Sequence, residues 1–214
     1  LFRKIQVESF TLEGANIALE VDEEGRQNWN FFAEEENKFS KNSNFRLDNF
    51  NIINSTISYR NGKSRSFEEF SNITANIKAE SSYGPFEVRG FLNAYTEPVD
   101  FDIISGKIIE ARSFPLRIKV VLPGAEEGVS FAGTVVVDGP ASALSGNILA
   151  KGLNAQGMVS SFQNIFQNKV AHPVNSARPF ELKTKLIVTK ARIELKPFFL
   201  KVAESVAEGE ILYL

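Results

Sequence analysis

Cysteine is absent from the 214 residues, and histidine occurs once, at His172. The first absence excludes disulfides, thiolate metal sites and cysteine nucleophiles, and the second excludes any multi-histidine metal cluster. An excess of charge is missing too. The 24 Lys and Arg stand against 26 Asp and Glu, a net charge of −2, so no basic surplus exists to neutralise a phosphate backbone. Nucleic acid is therefore not an expected partner. No apolar run reaches the roughly 18 to 20 residues of a membrane-spanning helix, and the chain does not open with the charged and apolar regions of a signal peptide. There is no Gly-x-Ser-x-Gly elbow and no phosphate-binding loop. His172 precedes Pro173 among loop formers and reads as a solvated loop histidine. The carboxylates of Glu34-Glu35-Glu36, Asp100/Asp102 and Glu126/Glu127 lack the ligand spacing of a calcium loop and read as solvated. The expectation is a protein that is not an enzyme, with no cofactor and no metal.

Phenylalanine is the residue in surplus, 19 against one Trp and four Tyr, so something here requires bulky apolar area. Phe carries neither hydroxyl nor indole donor, which suits it to hydrocarbon contact; the plainer alternative is that it fills a core.

Period-two alternation recurs almost from end to end, as strands with one apolar face require. Ile17, Leu19 and Val21 alternate with Ala18 and Glu20, and Ile73, Ala75, Ile77 and Ala79 alternate with Thr74, Asn76, Lys78 and Glu80. About a dozen strands are expected on this pattern. Turn signals separate them: Asp22-Glu23-Glu24-Gly25, Asn61-Gly62, Gly84-Pro85, Pro123-Gly124 and Asp138-Gly139-Pro140. Asn61-Gly62 predicts a type I′ hairpin, whose two central residues need positive φ. Short connections between strands predict antiparallel neighbours, hence a meander. One segment, 154–169, places Val159, Phe162, Ile165 and Phe166 at helical spacing and predicts a short amphipathic helix lying across the sheet or capping its end. Residues 33–44 are acidic and then polar, and predict a long exposed loop.

A sheet that is apolar on one side has to hide that side on another sheet, on helices, on itself or on something that is not protein. One short helix does not cover a dozen strands, which at about 4.8 Å spacing span roughly 55 Å. A sandwich, a closed barrel and a curved trough with an available apolar concavity remain open. The phenylalanines add weight to the trough, because an apolar concavity of that extent is usually a binding surface.

Two stretches carry a family resemblance. The first runs from Val7 to Val21 and continues as Gly25-Arg26-Gln27-Asn28-Trp29-Asn30-Phe31; the second is Leu47-Asp48-Asn49-Phe50 through Ile57-Ser58-Tyr59-Arg60. They resemble the AsmA family of bacterial envelope proteins, in which a strand hairpin leads into a Gly-x-x-Asn-Trp-x-Phe turn and an aromatic residue closes the next strand. Gly84-Pro85-Phe86-Glu87-Val88-Arg89-Gly90 and Phe131-Ala132-Gly133-Thr134 resemble the recurring strand endings of that family. The motif residues are structural: Gly25 permits the turn, Asn28 suits an Asx-type turn with its own backbone, Trp29 anchors, and Tyr59 is the closing aromatic.

The resemblance implies a mainly β fold, a long antiparallel meander curled into a taco-like apolar groove. It implies bridge-like lipid transport in a Gram-negative envelope, with phospholipid or another acyl-chain lipid as partner and a role in outer-membrane integrity. It also implies a periplasmic domain of an inner-membrane-anchored protein, with the membrane helix absent from this chain. The chain, opening at Leu1 in a strand-like pattern, is then expected to be a fragment, 1–214, of one such groove. The inward residues expected to line the groove are Phe86, Val88, Phe101, Ile103, Leu116, Ile118, Phe131 and Val135. The alternative of another class is a non-catalytic envelope scaffold that recruits protein partners through exposed sheet edges and loops and influences outer-membrane protein assembly.

Overall fold

In a computed structural model the described residues are 9–28, 46–81, 83–94, 97–108, 112–122, 128–165 and 178–214, without the side chains of Pro140 and of 161–165. The alternating segments become twelve strands: β1 (Phe10–Glu13), β2 (Asn16–Val21), β3 (Leu47–Asn61), β4 (Ser66–Ala79), β5 (Phe86–Ala94), β6 (Glu97–Ser105), β7 (Ser113–Val121), β8 (Gly128–Val136), β9 (Ala143–Gly152), β10 (Phe180–Thr189), β11 (Ile193–Val202) and β12 (Ser205–Tyr213). All twelve form one open, curved sheet, mainly β in class and not a closed barrel. From β3 to β12 each strand pairs antiparallel with its sequence neighbours. The helix α1 (Ala155–Ile165) interrupts the chain between β9 and β10 without interrupting their pairing.

The first edge departs from the expected meander. β1 and β2 do not form a hairpin; both pair parallel with β3, in the same register, Phe10 with Phe50 and Val21 with Asn61. They act as one edge strand broken at Gly14-Ala15, where β3 also bulges. The backbone N–H of Gly14 donates to the Ile53 carbonyl at 2.9 Å, and that of Thr56 donates to the Ala15 carbonyl at 2.8 Å. Ser55 fills the break: its Oγ accepts from the Ala15 N–H at 3.2 Å and donates to the Ile53 carbonyl at 3.1 Å. The alternation reports which face each residue takes and is blind to strand direction, which is why this pairing was not expected.

The turns behave with one exception as their chemistry requires. At Asp22–Gly25 the Asp22 carbonyl accepts from Gly25 N–H at 3.1 Å and Gly25 takes φ +91°. The β3–β4 connection is a hairpin at the expected place but not a two-residue type I′ turn. Asn61 pairs with Ser66, the loop is Gly62–Arg65, and the positive φ falls on Arg65. The side-chain oxygen of Asn61 accepts from the Lys63 and Ser64 N–H groups at 3.0 and 3.3 Å, closing the wider loop. Gly62 instead serves close approach: its N–H donates to the Val21 carbonyl at 2.7 Å, and a Cβ there would stand 3.0 Å from the Asp22 and Glu23 backbone. The segments recognised as strand endings at Gly90 and Gly133 lie inside β5 and β8. The Pro123-Gly124 turn, the loop 33–44, Trp29 and the expected helix end 166–169 fall outside the described residues.

Candidate functional site

Residues directly opposed in a β-ladder project to the same side, so the pairing register assigns every side chain to a face. One row begins Phe10, Phe50, Ile77, Val88 and Ile103 on β1 and β3–β6. It continues Ile118, Phe131, Ile148, Thr184 and Phe198 on β7–β11. The next row on that face includes Ile52, Ala75, Phe101, Val120, Ala150 and Leu182. A third carries Phe86, Ser105 and Leu116, and a fourth Phe114, Val135 and Leu144. All eight residues expected to line a groove, Phe86, Val88, Phe101, Ile103, Leu116, Ile118, Phe131 and Val135, therefore share one face of the sheet.

The opposite face is mainly polar and ionic, with Phe67, Phe91, Leu149 and Phe199 standing among the charged residues. Arg89 opposes Asp102, with Nε to carboxylate 3.1 Å, and Lys151 opposes Glu181 at 3.3 Å. Glu181 also meets Lys183 at 2.8 Å. The hydrogen bond from Lys183, aided by Lys151, holds the Glu181 carboxyl below the usual carboxylate range.

The apolar face is the concave one. Met158 of α1 packs with Ala94, Val99, Leu122 and Ala150, and Phe70 of β4 and Phe180 of β10 pack against that same cluster. In a flat sheet β4 and β10 would be about 29 Å apart at the usual strand spacing; curling brings them to one cluster. Glycines on the concave side permit the bend. Gly133 and Gly146 are opposed, the Phe131 ring lies over both, and a Cβ on Gly146 would stand 2.5 Å from the Ala132 carbonyl oxygen and 2.6 Å from the Gly133 Cα.

Cover over this face is scant. None of the described phenylalanines is fully buried; the enclosed apolar side chains are Ala, Val, Ile, Leu and Met. The two polar residues enclosed on this face are satisfied locally. Ser105 Oγ accepts from Phe86 N–H at 3.2 Å, and Thr184 Oγ1 donates to the Lys185 carbonyl at 3.4 Å.

At one end of the strands α1 lies over the groove and, with the sheet, lines a half-open pocket of about 570 Å³. The sheet contributes Val129, Ile148, Ala150, Phe180 and Leu182, with Leu200 and Val202, and the helix adds Ala155, Met158 and Val159. Every lining residue is apolar. Of these three helix residues only Val159 was expected on the apolar side, and the side chains of the other expected residues, Phe162, Ile165 and Phe166, lie outside the described ones. Ala155 and Met158 are buried, and Val159 lines the pocket while 38% exposed. The cavity residues were not anticipated as a group, because nothing local indicates where a helix inserted between β9 and β10 comes to rest. The signal present was the Phe180/Leu182 alternation.

The structural motif residues separate. Tyr59 lies on the concave side of β3, opposite Leu19 and Glu68, and its hydroxyl accepts from the Asn61 side-chain amide at 3.2 Å. Asn28 does not close an Asx turn on its own backbone. It folds back along β2: its oxygen accepts from Glu20 N–H and its amide donates to the Ala18 carbonyl, both at 2.9 Å. One side chain thus prolongs the ladder and occupies hydrogen-bonding groups on the outer edge of β2.

Among the described residues no group of His, Cys, Asp and Glu is placed to hold a metal ion, and no helix is long and apolar enough to cross a membrane. Comparison of the chain with protein-family models, with curated proteins and with solved structures finds no match.

Proposed function

We propose that the concave face is a binding groove for lipid acyl chains and that the protein is a non-enzymatic, AsmA-like envelope component supporting phospholipid transport to, and integrity of, the outer membrane. The observation that carries the reading is the state of the phenylalanines. Nine of the twelve described phenylalanines stand on an apolar face running from β1 to β11, Phe67, Phe91 and Phe199 being on the other side, and none of the nine is fully buried. Burying each acyl CH₂ is worth about 0.8 kcal/mol and needs no directional bond, so a chain lying along the rows is held and still free to slide. Headgroups ride at the open rim. In the long rows from β5 to β11 no residue is charged, and the polar interruptions there are Ser105 and Thr184, both occupied locally; the carboxylates of this face, Glu68 and Glu97, stand near the strand ends.

The test is native mass spectrometry of protein purified from a Gram-negative host, with photoreactive side chains at Val88, Ile118 and Phe131. Co-purified phospholipid that cross-links at these positions and not at Lys119 on the opposite face is expected. Protein free of lipid, with no cross-link from any groove position, would overturn the reading.

A second reading, a scaffold that recruits another chain by strand addition, is favoured by β12. All nine of its residues are exposed, including Val206, Ile211, Leu212 and Tyr213 on an unpaired edge. A pull-down that returns stoichiometric protein and no lipid favours it over the groove.

A further inference from the structure

The sheet ends in two unlike edges. At the first, the outward groups of β2 are already used. The Asn28 side chain takes the Glu20 N–H and the Ala18 carbonyl, the Asn28 N–H donates to the Glu20 carbonyl at 3.0 Å, and Gln27 bridges to Val21. What remains of that edge is β1, four residues long. At the other edge β12 is nine residues long and pairs, among the described residues, with β11 alone. Its charges are Glu208 and Glu210, and Glu210 is neutralised by Lys196 of β11 at 2.7 Å. Past Glu210 the edge carries none of the charges, prolines or bulges that keep strands from recruiting one another. Ile211, Leu212, Tyr213 and Leu214 follow in sequence at 48, 58, 71 and 85% exposure, apolar on both faces.

We infer that β12 pairs antiparallel with β12 of a second copy of this chain, about a two-fold axis through Ile211. The inference names the partner for the strand-addition reading of this edge, on which it rests, and is independent of what the groove holds. Two observations carry it, the inequality of the edges and the placing of the carboxylates. A head-to-tail contact, β12 of one copy on the first edge of the next, meets the groups that Asn28 occupies. The contact left is isologous and closes at two copies. Opposed residues of an antiparallel ladder share a face, so the axis passes through one residue and its own copy. Charge then selects the residue, because like charges set directly opposite repel. An axis through Gly209 sets Glu208 against the partner's Glu210 twice, and an axis through Glu208 or Glu210 sets that carboxylate against itself. Through Ile211 no carboxylate directly opposes another: Glu210 faces the partner's Leu212 and Glu208 the partner's Leu214. Tyr213 then lies over the partner's Gly209, where no atom stands within 4 Å of the missing Cβ. Gly209 opposes Phe198 and Ile211 opposes Leu195, so both are on the concave side. The pairing therefore joins two troughs into one, concave side continuous with concave side.

The experiment uses the full chain, which has no cysteine, so each introduced thiol reports alone. Sedimentation from low to high micromolar concentration should show a monomer–dimer equilibrium. Ile211→Cys should link to a covalent dimer under mild oxidation or with a short bismaleimide. Ser205→Cys, about 40 Å from its copy in this pairing, should not. Gly209→Cys and Tyr213→Cys should cross-link when mixed and not singly, which fixes the register. Ile211→Lys and Ile211→Glu should each weaken the dimer about tenfold or more by setting like charges against each other, and mixing the two variants should restore it. The thiol results decide if either charged variant fails to fold. A chain that stays monomeric throughout overturns the inference, and the strand-addition reading then stands on the pull-down alone. A dimer that links at Ser205, or at Gly209 alone, overturns it as well, as does a dimer unmoved by both charged variants.

Discussion

Ser55 is the most enclosed side chain described, with no exposure, at the break where β1 passes into β2. Its hydroxyl is the acceptor of the Ala15 N–H and a donor to the Ile53 carbonyl. Ser55→Ala leaves the part-buried Ala15 N–H without that acceptor, and losing such a bond costs about 1 kcal/mol. Urea unfolding should show the loss with an unchanged m-value; Ser55→Thr, which keeps the hydroxyl, should recover part of it. Loss confined to below about 0.3 kcal/mol would show that water or a backbone shift replaces the bond. Gly146 makes the second case. Its missing Cβ leaves room for the Ala132 carbonyl oxygen and the Phe131 ring at 2.5 and 2.6 Å. Gly146→Val should destabilise by about 2–3 kcal/mol, because the nearest atoms are backbone of a paired strand that has little room to retreat. The same substitution at Gly209, where no atom stands within 4 Å of the missing Cβ, should change the urea midpoint little. Equal losses at the two sites would remove the steric explanation.

Individual strands were the most legible level of this molecule, and the reasons are local. Ile73, Ala75, Ile77 and Ala79 alternate because β4 has one enclosed face, and three of the four are buried outright. The same period makes the faces of distant strands agree once the register is known, which is why eight residues chosen from β5 to β8 fall on one side. Direction was not legible: the Ile17, Leu19, Val21 pattern is identical whether β2 runs parallel or antiparallel to β3. Nor was the resting place of α1, whose Met158 packs against Ala94, Val99 and Ala150, because a helix lying over strand ends takes its position from residues far away in sequence. Between elements, the polar face offers a pH-dependent link. Glu181 of β10 meets Lys183 along its own strand and Lys151 across on β9, and its carboxyl is held below its ordinary value of 4.5. A group whose folded pKa is depressed adds stability that is full above the unfolded pKa and is lost as pH falls through the folded one. The stability difference between wild type and Glu181→Gln should therefore be constant from pH 7 down to about pH 5.5 and then shrink on further acidification. It should also shrink with added salt, since the pair is on the surface. A difference that persists at pH 2.5 would assign the effect to packing of the side chain.

For the molecule as a whole, an open curved sheet with one bare apolar side implies that occupancy and stability are linked. Sandwiches close that side with a second sheet and barrels with the sheet itself; here the described residues supply only α1, at one end. A ligand that binds only the folded groove stabilises it by RT ln(1 + [L]/Kd), about 2.7 kcal/mol at a hundredfold excess over Kd. For a domain of this size that corresponds to a rise in Tm of roughly 5–10 °C. Lysophospholipid below its micelle concentration should produce this shift, growing with the logarithm of its concentration. Val88→Lys sets a charge in the middle of the longest apolar row and should abolish the shift, whatever it does to the unliganded Tm. Lys119→Glu, on the opposite face, should leave the shift in place. A shift of equal size in both variants would mean that the lipid stabilises by coating the surface at large, and the concave face would lose its claim to be the site.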